Sequence, residues 1–200
     1  MKKLSASLFL LLLATSASAQ TGSIPGITMP KPEGASQVSA LPYALNPQRF
    51  FGNAVTVQIP STFVNASEQL MKANYPDEKN YPKIVMTDNS ERPLLALNIT
   101  PNEGVRDTII HFFRDIKNDI RTKYPTSRFL KTDVIRNRTL AIVEVILPNK
   151  DGVNIYNMMA FRYVGENFFF LNFSCPEEDM GQWQNTAREI AETIRVESAE

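Results

Sequence analysis

The chain has 200 residues, with 21 basic and 21 acidic side chains, 43% hydrophobic residues and a single cysteine. A balance this even offers no basic face for nucleic acid. One cysteine excludes a disulfide within the chain, so a core drawn from about 150 residues has to hold the domain together.

In chain order, Lys2 and Lys3 precede the apolar run Leu8–Ala14, and Ala17-Ser18-Ala19 closes the stretch. Basic, apolar, then small-x-small is the order of a secretory signal peptide over residues 1–19, cleaved after Ala19. The run is too short to span a bilayer. Losing Lys2 and Lys3 leaves 19 basic against 21 acidic residues. No cysteine lies at the cleavage site, which excludes lipid attachment there. The expected compartment is the periplasm of a two-membrane bacterium, or the medium if the protein is fully released. No later segment is long and apolar enough to form a transmembrane span.

Residues 20–48 read as a flexible leader. Pro25, Pro30, Pro32, Pro42 and Pro47 deny it a helix, and Gly22, Gly26, Gly34 and several serines lie among them. It is a spacer, or else a segment that docks through Ile24, Ile27, Met29 and Leu41. Residues 49–197 are expected to form one domain.

Within that domain, Val55, Val57 and Ile59 alternate with Thr56 and Gln58, which predicts a strand ended by Pro60. Ser67 is placed to cap a short helix over Glu68–Asn74, which Tyr75-Pro76 closes. Residues 83–87 and 94–100 read as strands joined by the turn Asp88-Asn89-Ser90. A long helix is predicted from Pro101 or Asn102 to Tyr124-Pro125. Its apolar stripe is Val105, Ile109, Phe112, Phe113, Ile116 and Ile120. Four strands follow, over residues 128–135, 139–147, 153–163 and 168–175, with links too short for anything but antiparallel pairing. The Asn149-Lys150-Asp151-Gly152 link is a strong turn signal. A last helix, about 179–195, carries Trp183, Ala187, Ile190 and Ile194 at helical spacing.

Two strands fix the expected architecture. In Phe168–Phe173, Phe168 and Phe170 face one way, and Phe169, Leu171 and Phe173 face the other. In 139–147, Ala141, Val143 and Val145 oppose Leu140, Ile142 and Ile146. A strand apolar on both faces needs cover on both faces. The fold class is therefore α+β: an antiparallel sheet of six to seven strands with helices on each side, in the order β-α-β-β-α-β-β-β-β-α.

This order and three local phrases resemble the PsbP-like fold family. The phrases are Val55-Thr56-Val57-Gln58-Ile59-Pro60-Ser61-Thr62-Phe63, the Tyr75-Pro76 after the short helix, and Phe168-Phe169-Phe170-Leu171-Asn172-Phe173 ahead of the Trp183 helix. The resemblance spans about residues 50–196. It implies a domain type found in an extrinsic photosystem II protein, a Ran-binding import factor and many exported bacterial proteins. It implies partner binding and no shared catalytic centre. No functional residue carries over from it.

The residues themselves assemble no catalytic set. His111 is the only histidine, with Asp107 and Asp115 four residues to either side, so it is expected on a solvated helix face. Cys175 ends a buried type of strand and reads as a small apolar filler. One histidine and one cysteine do not make a zinc site, and no metal or cofactor is expected. Glu177-Glu178-Asp179 are expected to stabilise the start of the last helix.

Four polar residues interrupt strand interiors. Glu144 lies between Ile142 and Ile146, and Asn98, Asn157 and Asn172 sit in three other strands. They occupy sheet edges or make local hydrogen bonds, or else they converge on a ligand pocket. Glu144, Asn157 and Asn172 are the candidate ligand-binding residues of that second reading. The expected function is an exported, non-catalytic binding or accessory protein with an unidentified protein partner. The alternative is a small-ligand binder or hydrolase at a pocket near Glu144. A third option is membrane-surface association through Phe50-Phe51 and the apolar leader residues.

Overall fold

The computed structural model describes residues 43–75, 77, 81–101, 109–135 and 139–196. The predicted signal peptide, most of the leader and the start of the long helix lie outside the described residues.

The described residues form ten strands and three α-helices. The strands are β1 (Leu45–Phe50), β2 (Val55–Pro60), β3 (Val64–Asn65), β4 (Ile84–Thr87), β5 (Leu94–Pro101), β6 (Arg128–Ile135), β7 (Leu140–Pro148), β8 (Asn154–Val164), β9 (Asn167–Pro176) and β10 (Arg195–Val196). The helices are α1 (Glu68–Asn74), α2 (Ile109–Lys123) and α3 (Met180–Glu192). Seven strands make one sheet in the order β3-β4-β5-β9-β8-β7-β6, and β1-β2-β10 make a second, smaller one. Every pairing is antiparallel.

The predicted three-layer arrangement is present. On one face of the large sheet, Leu95, Ile142, Met158, Leu171 and Phe173 pack with Val55, Val57 and Ile59 of β2 and with Trp183, Ala187 and Ile190 of α3. On the other face, Val143, Val145, Phe161 and Phe170 pack with Ile109, Ile116 and Ile120 of α2. A separate cluster on that second face joins Val85, Leu94 and Ala96 to Tyr75, with Leu70 and Met71 of α1 against it.

Local chemistry sets the element ends. Ser67 caps α1 as predicted, its hydroxyl accepting the Leu70 N–H at 3.2 Å. Asn149 Oδ1 accepts the N–H groups of Asp151 and Val153, and Gly152 takes a φ of 78°. At the β6 edge, Asp133 Oδ1 accepts the neighbouring Val134 N–H at 2.8 Å, occupying a donor that a further strand would need.

The structure departs from the sequence reading in two places. Strand β1 begins at Leu45, inside the stretch read as leader, and Tyr43 already stacks on Trp183 with ring centroids 4.5 Å apart. Pro47 disguised this strand. It is tolerated because, among the described residues, β1 is an edge bonded to β2 alone. Strand β2 belongs to the small sheet and not to the large one, whose seventh member is the two-residue β3.

Candidate functional site

Glu144 lies on the middle of β7 and is fully buried. A carboxylate so placed needs charge and hydrogen bonds to offset the loss of water. Arg188 of α3 supplies both. Its Nε meets Oε1 at 2.7 Å and its Nη2 meets Oε2 at 2.8 Å. Gln184, one helical turn earlier, donates to Oε2 at 3.0 Å. Tyr156 on β8 donates to the same oxygen at 3.3 Å. The carboxylate in turn holds the Arg188 guanidinium in its charged form. Burial, with the Glu144 charge beside it, pushes the Tyr156 phenol far up. Both Glu144 oxygens are thus engaged in holding α3 against the sheet.

Asn157 and Asn172 sit elsewhere. Residues paired across a ladder share a face, and neighbours along a strand alternate. Glu144 pairs with Met158, so the adjacent Asn157, paired with Val145, faces the opposite way. Asn172 pairs with Met159 and joins Asn157 on that second face. The two meet directly, with Asn172 Nδ2 donating to Asn157 Oδ1 at 3.3 Å. Asn157 Nδ2 donates to the Ile155 carbonyl at 3.1 Å. Asn98 is on the same face, and its Oδ1 accepts the Ile99 N–H at 3.0 Å. The structure therefore brings two of the three candidate ligand residues together and sets Glu144 apart from them, across the sheet.

The partners of Glu144 escaped the sequence reading. A signal existed: a lone acid in an apolar strand needs a cation, and Gln184 and Arg188 are four residues apart on one helix face.

The remaining candidates have structural surroundings. Cys175 is buried in the core shared with α3, and burial pushes its thiol up to about 12. His111 belongs to α2, but its side chain lies outside the described residues. Glu177, Glu178 and Asp179 form a 3-10 turn ahead of α3 without capping it by side-chain hydrogen bonds. They pair with arginines instead. Glu177 binds Arg128 and Asn154, while Glu178 and Asp179 both bind Arg92. The hydrogen bond from Arg128 holds the Glu177 carboxyl below its ordinary range. Phe50 and Phe51 are half-buried and pack on the core, with the Phe51 ring 6.1 Å from that of Phe169. Among the described residues no group of three acidic, histidine or cysteine side chains could hold a metal. No helix among them is long and apolar enough to cross a membrane.

No family model and no curated protein sequence matches the chain. Solved structures do match in shape. The cyanobacterial PsbP protein CyanoP of Synechocystis sp. PCC 6803 gives a TM-score of 0.56 at 9% identity, covering 82% of this chain and 98% of that one. The Ran-binding protein Mog1p of Saccharomyces cerevisiae gives 0.54 at 11% identity, covering 77% and 96%. LpqN of Mycobacterium tuberculosis, described as involved in cell envelope biogenesis, gives 0.51 at 9% identity, covering 78% and 91%. Likeness at such identities speaks for architecture, and it agrees with the layered sheet and with the phrases around β2, Tyr75-Pro76 and β9: the chain has the PsbP-like fold.

Proposed function

We propose that the protein is an exported, non-catalytic accessory protein of the bacterial envelope that binds another protein. One observation carries this reading. Mog1p, described as a Ran-binding protein, shares this fold over 96% of its own chain. The order basic, apolar, Ala17-Ser18-Ala19 over residues 1–19 supports export, to the periplasm first and the medium second. Accessory roles in the envelope also fit the description of LpqN. A ligand or hydrolase pocket at Glu144 gains no support, because both carboxylate oxygens are already held by Arg188, Gln184 and Tyr156.

The test is fractionation of a two-membrane bacterium producing the full chain, with a photo-activated cross-linker placed at surface positions such as Leu130. The expected result is a mature N-terminus at Gln20 in the periplasmic fraction and one discrete heteromeric adduct. Retention of residues 1–19 in the cytoplasm defeats export. A complete absence of adducts from every surface position defeats partner binding.

A further inference from the structure

Among the described residues, three polar atoms on the second face of the large sheet are buried without a partner. They are Asn172 Oδ1, Tyr75 Oη and Tyr81 Oη. Asn172 is fully buried and Tyr75 is 2% exposed. Buried polar groups are ordinarily satisfied, because desolvating one with nothing in return is unfavourable. One such atom is an exception; three in one neighbourhood form a pattern.

The neighbourhood follows from the register. Asn172 stands directly across the β5–β9 ladder from Ala96. Ala96 belongs to the cluster that holds Tyr75, with Tyr81 packed against it. The Tyr75 and Tyr81 rings meet edge to face, 6.5 Å between centroids. On the other side of Asn172 lies Asn157, whose Oδ1 it already engages. The asparagines thus run as a seam on this face, between the cluster that holds Tyr75 and Tyr81 and the one under α2.

We propose that this seam is a binding site for a small uncharged molecule carrying hydroxyl or amide groups. Asn172 Oδ1 offers an acceptor for a ligand N–H or O–H, and the two phenols offer donors for a ligand oxygen. Asn98, Asn157, Asn172, Tyr75 and Tyr81 carry no formal charge, so a charged ligand would lose its hydration without an opposite charge in return. Burial pushes the Tyr75 phenol upward, which keeps it a neutral O–H donor. The site is separate from the Glu144 cluster and does not depend on the partner-binding reading.

Nuclear magnetic resonance of the mature protein tests it, following the side-chain NH2 signals of Asn172 and Asn157. The probes are acetamide, glycerol and N-acetylglucosamine, with acetate as the charged control. At least one neutral probe is expected to shift both signals saturably, and acetate is expected to leave them in place. In Asn172→Leu the response of Asn157 should vanish; the substitution also takes the Nδ2 donor away from Asn157 Oδ1, so a modest fall in melting temperature is expected. Tyr75→Phe keeps the ring and should weaken probe binding about fivefold at unchanged melting temperature; it decides the matter if Asn172→Leu fails to fold. The proposal is overturned if no neutral probe shifts the signals, if acetate shifts them equally, or if the response survives both substitutions. A crystal structure in which ordered water alone satisfies all three atoms, unchanged by soaking with the probes, overturns it too.

Discussion

Arg188 on α3 grips both oxygens of Glu144 on β7, joining a half-exposed helix side chain to a carboxylate with no exposure of its own. The asymmetry sets the energetics. Removing the arginine leaves a charge in the core, whereas removing both members leaves only shape to fill. Arg188→Met is expected to cost about 3 kcal/mol, and the double variant Glu144→Leu/Arg188→Met to recover most of that. Urea denaturation of the two variants decides it. A double variant no more stable than the single one would show that the pair is not coupled in this way.

Tyr43 and Trp183 stack at an interplanar angle of 4°, and Gln182 donates to the Tyr43 hydroxyl. Trp183 is the only tryptophan of the chain and reports on this contact directly. Tyr43→Ala should shift its emission to longer wavelength as water reaches the indole, and should destabilise the domain by about 1 kcal/mol. Unchanged emission would mean that the stack contributes nothing to shielding Trp183.

The Cys175 thiol ionises near 8.5 in an unfolded chain and is pushed up to about 12 in the fold. Between those values the unfolded state gives up its proton and the native state keeps it. The native state then binds more protons, so the thiol's contribution is full below about 8.5 and is lost as pH rises toward 12. Cys175→Ala should therefore flatten the decline of stability between about pH 8.5 and 10, ahead of the tyrosines and lysines. The native thiol should also resist alkylation until the protein unfolds. Rapid alkylation under native conditions would contradict the buried placement.

Ser67→Ala removes the cap of a helix only seven residues long. Such a helix has little stability of its own, so the loss of about 1 kcal/mol should appear as faster amide exchange confined to α1. Exchange that rises across the whole sheet would instead mean that α1 is integral to the core.

Much of the fold was legible because two signals are local. The alternation in Phe168–Phe173 shows both faces apolar without reference to any other strand, and Ser67 with Tyr75-Pro76 brackets α1 to the residue. The small sheet was not legible. The alternation in β2 does not say which sheet it joins, Pro47 masks β1, and β10 is two residues long. The candidate site divides in the same way. That Glu144, Asn157 and Asn172 are out of place in strand interiors is visible in the sequence. Which face each one takes depends on register, and the bond from Arg188 to Glu144 spans 44 positions.

The small sheet has a consequence for how the chain reaches its native state. Strand β2 is flanked by β1 on one side and by β10 on the other, and the Gln58 N–H donates to Thr193 Oγ1, 135 positions along the chain. This part of the fold cannot close until nearly the whole chain is present. A chain passing N-terminus first through a narrow channel would arrive with β2 bare on one edge and without the α3 side chains that cover its apolar face. Completion waits for the last two strand residues, so closing the small sheet carries the entropic cost of the longest strand-to-strand loop among the described residues.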